Sequence, residues 1–247
     1  DELAELLEEA ELDEDAEGQL ARRFGREYTL LTRPERLRSV AVDLVAHFVG
    51  RGFTGKAMYV GLDKAAAVRM YDYVQEAWTR HLSDLRAQHD SLPELERPWL
   101  ASRIKLMEST DMAVVVSQSQ NEIAHLERHG LDIRPHRERM NREDLAEKFK
   151  DSTDPLRIVF VCAMWMTGFD APAVSTIYLD RPMRNHTLMQ TIARANRVFP
   201  DKDNGLIVDY IGVFRNFQQA LAIYRPANAD ARADPPIQGL DPPVPAR

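Results

Sequence analysis

The sequence predicts an α/β fold in which a parallel β-sheet is covered by helices on both faces. Two observations carry this. Short apolar runs rich in β-branched residues alternate along the chain with longer stretches of helical periodicity, the pattern of strand–helix–strand units. The run at residues 158–162, IVFVC, has no polar alternation, as expected of a strand buried on both sides. The length of 247 residues allows one sizeable core with flanking pieces at each end.

Taken in order, Pro34 is well placed as a first helical residue, and Leu37, Val40, Ala41, Leu44, Val45 and Phe48 then form one apolar stripe. Residues 57–61 read as a strand. Asp63 caps a following helix that carries Ala67, Met70, Tyr71, Val74 and Trp78 on one side. Leu100, Ile104 and Met107 mark another helix, 113–117 a strand, 123–129 a helix and 141–150 a further helix. Strands at 158–162, 176–180 and 206–210 complete the sheet, with a helix before the last of them and another at 214–224. Connections of this kind between parallel strands require helices on both faces of the sheet.

The chemistry concentrates in residues 157–197. Gln190, Arg194 and Arg197 recur at offsets of four and three, so in a helix they share one face. Leu188, Ile192 and Ala195 are displaced by two residues, roughly 200° around the axis, and fall on the opposite side. Two like charges at this spacing repel, and a phosphate is the anion whose geometry matches guanidinium forks. The alternative is a solvated helix face with incidental arginines. Upstream, the 158–162 strand runs into Thr167, Gly168, Phe169, Asp170, Ala171 and Pro172, a loop that falls where open α/β sheets collect ligands. On its own, that loop is also compatible with an ordinary turn.

Together these segments resemble motifs V and VI of superfamily 2 helicases and translocases, with Gln190, Arg194 and Arg197 on the Gln and two Arg of Q-x-x-G-R-x-G-R, and with Ala193 and Asn196 where that pattern has glycines. The wording MWMTGFDAP, YLDRPM, HTLMQTIARANRVF and GLIVDYIG is closer still to the motor (R) subunit of type I restriction enzymes. The resemblance runs from about residue 33 to 224 and is dense from 149 to 212.

It implies a RecA-like fold, the second of two such domains in a motor, spanning 33–225 between an acidic arm (1–32) and a proline-rich tail (226–247). The resemblance further implies ATP with Mg²⁺ held mainly by a first RecA-like domain. In that scheme Arg197 is an arginine finger, Arg194 a γ-phosphate contact and Gln190 a positioning residue. Gly168 and Asp170 link nucleotide state to DNA grip, and Thr167 contacts a DNA phosphate; Trp165 reads, like Trp78 and Trp99, as a core or interface residue, and it also lies close enough to this loop to touch DNA. Double-stranded DNA and the modification and specificity subunits are the implied partners, and the chain alone is expected to be inactive. The competing expectations are a non-catalytic interaction module of the same fold and a different superfamily 2 helicase.

Composition limits other readings. The net charge is −7, but ten of the 39 acidic residues lie in 1–17, and without them 32 basic residues face 29 acidic ones. A backbone grip on nucleic acid would therefore be local. Six of the fourteen prolines fall in 226–247, as in a linker. A chain with an acidic arm at one end and a proline-rich tail at the other is expected to come from something larger.

Gly50 to Ala57 superficially matches G-x-x-x-x-G-K-[ST]. However, Ala57 lacks the Mg²⁺-binding hydroxyl, and the segment lies after a helix and before a strand, so it reads as a helix end with a turn. Cys162 reads as a buried thiol, and His125 and His129 share a helical face without a third ligand, so no metal site is expected. No long apolar span or leader is evident, which predicts a cytoplasmic protein with no membrane contact.

Overall fold

The computed structural model describes residues 25–52, 55–166, 169–183, 185–195 and 205–212. Among them, β1 (Lys56–Val60), β2 (Asp111–Val114), β3 (Leu156–Val161), β4 (Val174–Leu179) and β5 (Leu206–Asp209) form one sheet in the order β2-β3-β1-β4-β5. Every pairing is parallel. The sheet is the middle of three layers, the α/β RecA-like architecture expected from the sequence.

The helices are α1 (Gly25–Leu31), α2 (Pro34–Gly50), α3 (Lys64–Ser91), α4 (Pro98–Glu108), α5 (Glu122–Arg128), α6 (Arg134–Arg142), α7 (Leu145–Lys150) and α8 (Asn185–Ala195). Side-chain parity divides the core in two, because alternate strand residues point to opposite faces. Ala57, Tyr59, Ile158, Phe160 and Tyr178 pack with the apolar stripes of α2, α3 and α4. Met58, Val60, Val159, Val161, Ile177 and Leu179 pack with Phe149 of α7, Leu188 of α8 and the segment after β3. The Asp63 side chain accepts from the Ala66 N–H at 2.6 Å and starts α3, as its position after a strand implied.

Several boundaries differ from the sequence expectation by one or two residues, α1 and α6 were not expected, and two differences are larger. The helix expected over 141–150 is broken: Glu143 is extended (φ −115°, ψ 139°), and α7 begins anew after Asp144, whose carboxylate accepts from the Glu147 N–H at 3.0 Å. An aspartate that can cap competes with continuation of a helix, and here the cap prevails. The strand expected at 113–117 ends at Val114, although the Val115 N–H still donates to the Phe160 carbonyl at 2.9 Å. The helix expected at 214–224, most of the acidic arm and the whole 226–247 tail lie outside the described residues. Helix α1, at the end of the 1–32 segment, touches the domain where the Tyr28 hydroxyl donates to Asp63 at 2.6 Å. No described helix is long and apolar enough to cross a membrane.

Candidate functional site

Neighbouring strands β1 and β4 send their onward connections in opposite directions, β1 toward β2 and β4 toward β5. Such a switch point, at the carboxyl edge of the sheet, is where open α/β folds place ligands. Asp180 occupies it, with its N–H donating to the Val60 carbonyl at 2.9 Å. Its side chain, 2% exposed, accepts from both terminal nitrogens of Arg36, at 3.2 and 2.5 Å, and from the Tyr59 hydroxyl at 2.7 Å. Arg36 also donates to the carbonyls of Leu31 and Tyr210.

Burial pushes the Asp180 carboxyl above the usual carboxylate range, against the opposing pull of Arg36. Burial likewise works to lower Arg36, yet the hydrogen bond and charge of Asp180 prevail and raise it. The pair is a satisfied, low-dielectric ion bridge. Below it the contacts continue in register: His47 Nδ1 lies 2.8 Å from the Tyr178 hydroxyl, and Arg51 donates to Thr176 Oγ1 at 2.7 Å. Helix α2 is thus bonded through polar side chains along most of β4.

On the other side of the same edge, β3 runs out into the segment beginning at Cys162. Trp165 has a left-handed backbone (φ 66°), a conformation that a bulky residue holds only when its surroundings impose it. Its ring stacks on Phe169 at 4.2 Å between centroids and 14° between planes, and Phe149 of α7 lies alongside at 5.6 Å from the Trp165 ring. The stack holds Trp165 against Phe169; Thr167 and Gly168, between them in the sequence, lie outside the described residues. Asp170 is exposed just beyond Phe169.

Helix α8 rests on β4 and β5. Leu188 and Thr191 are buried while Gln190 is exposed, in line with an apolar side toward the sheet and a polar side away from it. Arg194 lies on the same helix three residues further along than Thr191. Arg197 falls outside the described residues, so the two guanidiniums are not seen together.

Lys56 settles what the glycine-rich stretch before it does. It opens β1 at the amino edge of the sheet, away from the switch point, with a side chain 1% exposed. Its ammonium donates to the carbonyls of Lys148 at 2.7 Å, Leu156 at 2.9 Å and Asp154 at 3.4 Å. Burial lowers its pKa to about 8. A lysine so engaged cannot cradle a phosphate, so the described residues do not by themselves fit a triphosphate. Among the described residues no cluster of three or more His, Cys, Asp or Glu could hold a metal.

Sequence reasoning missed Arg36, Tyr59 and the roles of Asp180 and Arg181. The available signal was an Asp-Arg pair directly after an apolar strand; nothing local points to Arg36 as the partner.

Comparison with known proteins agrees with this architecture. Residues 100–212 match the family model described as type I restriction enzyme subunit R domain 3. The chain is 32% identical over 236 residues to a putative type I restriction enzyme MjaIXP endonuclease subunit of Methanocaldococcus jannaschii, covering 94% of this chain and 19% of that protein. It is 33% identical over 216 residues to the type I restriction enzyme HindI endonuclease subunit of Haemophilus influenzae, covering 85% of this chain and 18% of that protein. A second M. jannaschii protein, the putative MjaVIIP endonuclease subunit, is 46% identical over 80 residues, 32% of this chain and 7% of that protein. The chain therefore spans about a fifth of the length of the first two relatives.

Proposed function

This chain belongs to the type I restriction enzyme R-subunit family, and on that premise we propose that it is the second RecA-like domain of an ATP-driven DNA translocase, supplying one half of an interdomain ATP site. The observation that carries the reading is the orientation of α8: Leu188 and Thr191 are buried against the sheet while Gln190 faces out, one turn before Arg194. A first RecA-like domain of the same subunit closes over that face in this proposal. ATP with Mg²⁺, held mainly by that other domain, supplies the free energy of stepping.

Within this chain, Arg197 stabilises developing charge on the γ-phosphate, Arg194 binds that phosphate and Gln190 orients groups beside it. Gly168 and Asp170 carry nucleotide state toward the DNA track, where Thr167 meets a backbone phosphate and Trp165 borders the path. The domain works in this reading within a cytoplasmic restriction complex with modification and specificity subunits on double-stranded DNA, and without its partner domain it does not hydrolyse ATP.

The test is DNA-stimulated ATP turnover by the complete subunit, with Arg197→Ala beside wild type and this chain alone as control. An arginine finger predicts a loss of roughly 10³-fold or more with ATP binding retained, and silence from the isolated chain. Unchanged turnover in Arg197→Ala would remove that role. Turnover by the isolated chain would mean that it holds a phosphate cradle of its own.

A further inference from the structure

The dipeptide Asp180-Arg181 lies between the two segments to which the proposed function assigns separate duties. Asp180 has the same strand parity as Thr176 and Tyr178, so it points toward α2, where Arg36 and Tyr59 hold it. Arg181, the next residue, is only 4% exposed, and its Nη1 donates to the Cys162 carbonyl at 2.5 Å. Cys162 is the first residue past β3 and opens the segment that carries Trp165 and Asp170. Two residues beyond Arg181, Met183 is buried, and its sulfur lies 3.9 Å from Thr191 Oγ1 in the body of α8.

A buried arginine is costly unless its donors are used, so this placement is kept for what it joins. It ties the exit of β3 to the entry of α8, while Asp180 fixes the same point to α2 and β1. We propose that Arg181 is a positioning residue that makes α8 and residues 162–166 after β3 move as one body, so that a shift at the nucleotide face is transmitted to the DNA face. The proposal rests on reading α8 as the ATP-facing helix. It assigns no contact with ATP or DNA to Arg181 itself.

The experiment uses the complete subunit in its restriction complex and compares wild type with Arg181→Met, Arg181→Lys and Arg197→Ala. Three quantities are read: basal ATP turnover, its stimulation by duplex DNA, and displacement of a DNA-bound oligonucleotide roadblock per ATP consumed. Arg181→Met should retain basal turnover and DNA binding, but lose about 10-fold in DNA stimulation, within the usual range for coupling between sites, with displacement per ATP falling alongside. Arg181→Lys keeps a cation and one donor toward the carbonyl and should recover part of the loss.

If Arg181→Met does not fold, Arg181→Lys carries the test, since a melting temperature like that of wild type with a several-fold drop in stimulation supports the proposal. Stimulation and displacement equal to wild type in the folded variants overturn it. So does a parallel fall of basal turnover, binding and melting temperature, which is the signature of a purely structural arginine. Normal turnover in Arg197→Ala would instead remove the underlying reading of α8, a different and separately visible failure.

Discussion

Arg36→Ala is the substitution whose consequence can be worked furthest. It strips Asp180 of two of its three donated hydrogen bonds and leaves only the Tyr59 hydroxyl, in a place where the carboxylate is 2% exposed. Removing one partner of a fully buried ion pair costs about 3–5 kcal/mol, because the other charge stays behind without compensation. The Arg36 side chain is 24% exposed, so water enters as it leaves, and the lower end of that range, about 3 kcal/mol, applies. For a domain of this size that corresponds to roughly 6–12 °C in melting temperature.

The loss should also depend on pH. Burial already raises the Asp180 carboxyl, and without Arg36 it rises further. A carboxyl whose folded pKa lies above its unfolded value is destabilising while ionised, and that penalty is relieved as pH falls through the folded pKa. The difference between wild type and Arg36→Ala should therefore shrink between pH 7.5 and 5. Urea denaturation of this chain at both pH values measures it, with Arg36→Ala/Asp180→Asn as the second arm, which should regain about 2 kcal/mol at neutral pH by removing the stranded charge. A loss below about 1 kcal/mol, the level of a surface ion pair, would refute the argument, as would equal losses at the two pH values.

Two other outcomes follow from buried bases. Burial holds His47 below its ordinary 6.5, so as pH falls below that value the unfolded chain takes the proton first and stability drops. His81, His129 and His136 shift the same way. His47→Gln should thus flatten part of the slope of urea midpoint against pH between 7.5 and 5, and an unchanged slope would mean that His47 carries none of it. Lys56, lowered from 10.5 to about 8 by burial, releases its proton in the folded chain first. Wild type should therefore gain stability relative to Lys56→Met as pH rises from about 8 toward 10, so that the wild-type midpoint minus that of Lys56→Met increases in paired denaturation curves, and a constant or falling difference would refute it.

Much of the framework was legible in the residues. The α2 stripe of Leu37, Val40, Ala41, Leu44, Val45 and Phe48 is buried as its period requires, because helical amphipathicity is a property of neighbours on one turn. β3 was legible because a strand covered on both faces must be apolar throughout. The break at Glu143 was not, since Asp144 could continue a helix or cap a new one, and the choice went with the turn that brings Phe149 into the core beside Trp165. Gln190 was placed on the outward face of its helix by spacing alone, whereas the pairing of Arg36 with Asp180 had no local signal at all.

That difference has one physical cause. The sequence by itself determined the strands and the longer amphipathic helices, which side of each is apolar, and which motifs sit at strand ends, since these depend on periods of two and 3.6 residues, whereas the short polar α6 has no apolar stripe to mark it. Only the tertiary structure decided the order β2-β3-β1-β4-β5 and, through it, that Arg36 meets Asp180 across 144 residues and that Arg181 reaches Cys162. Such pairs form when chain closure brings distant groups into a shared low-dielectric site, and no local pattern records which polar residue will find which partner there.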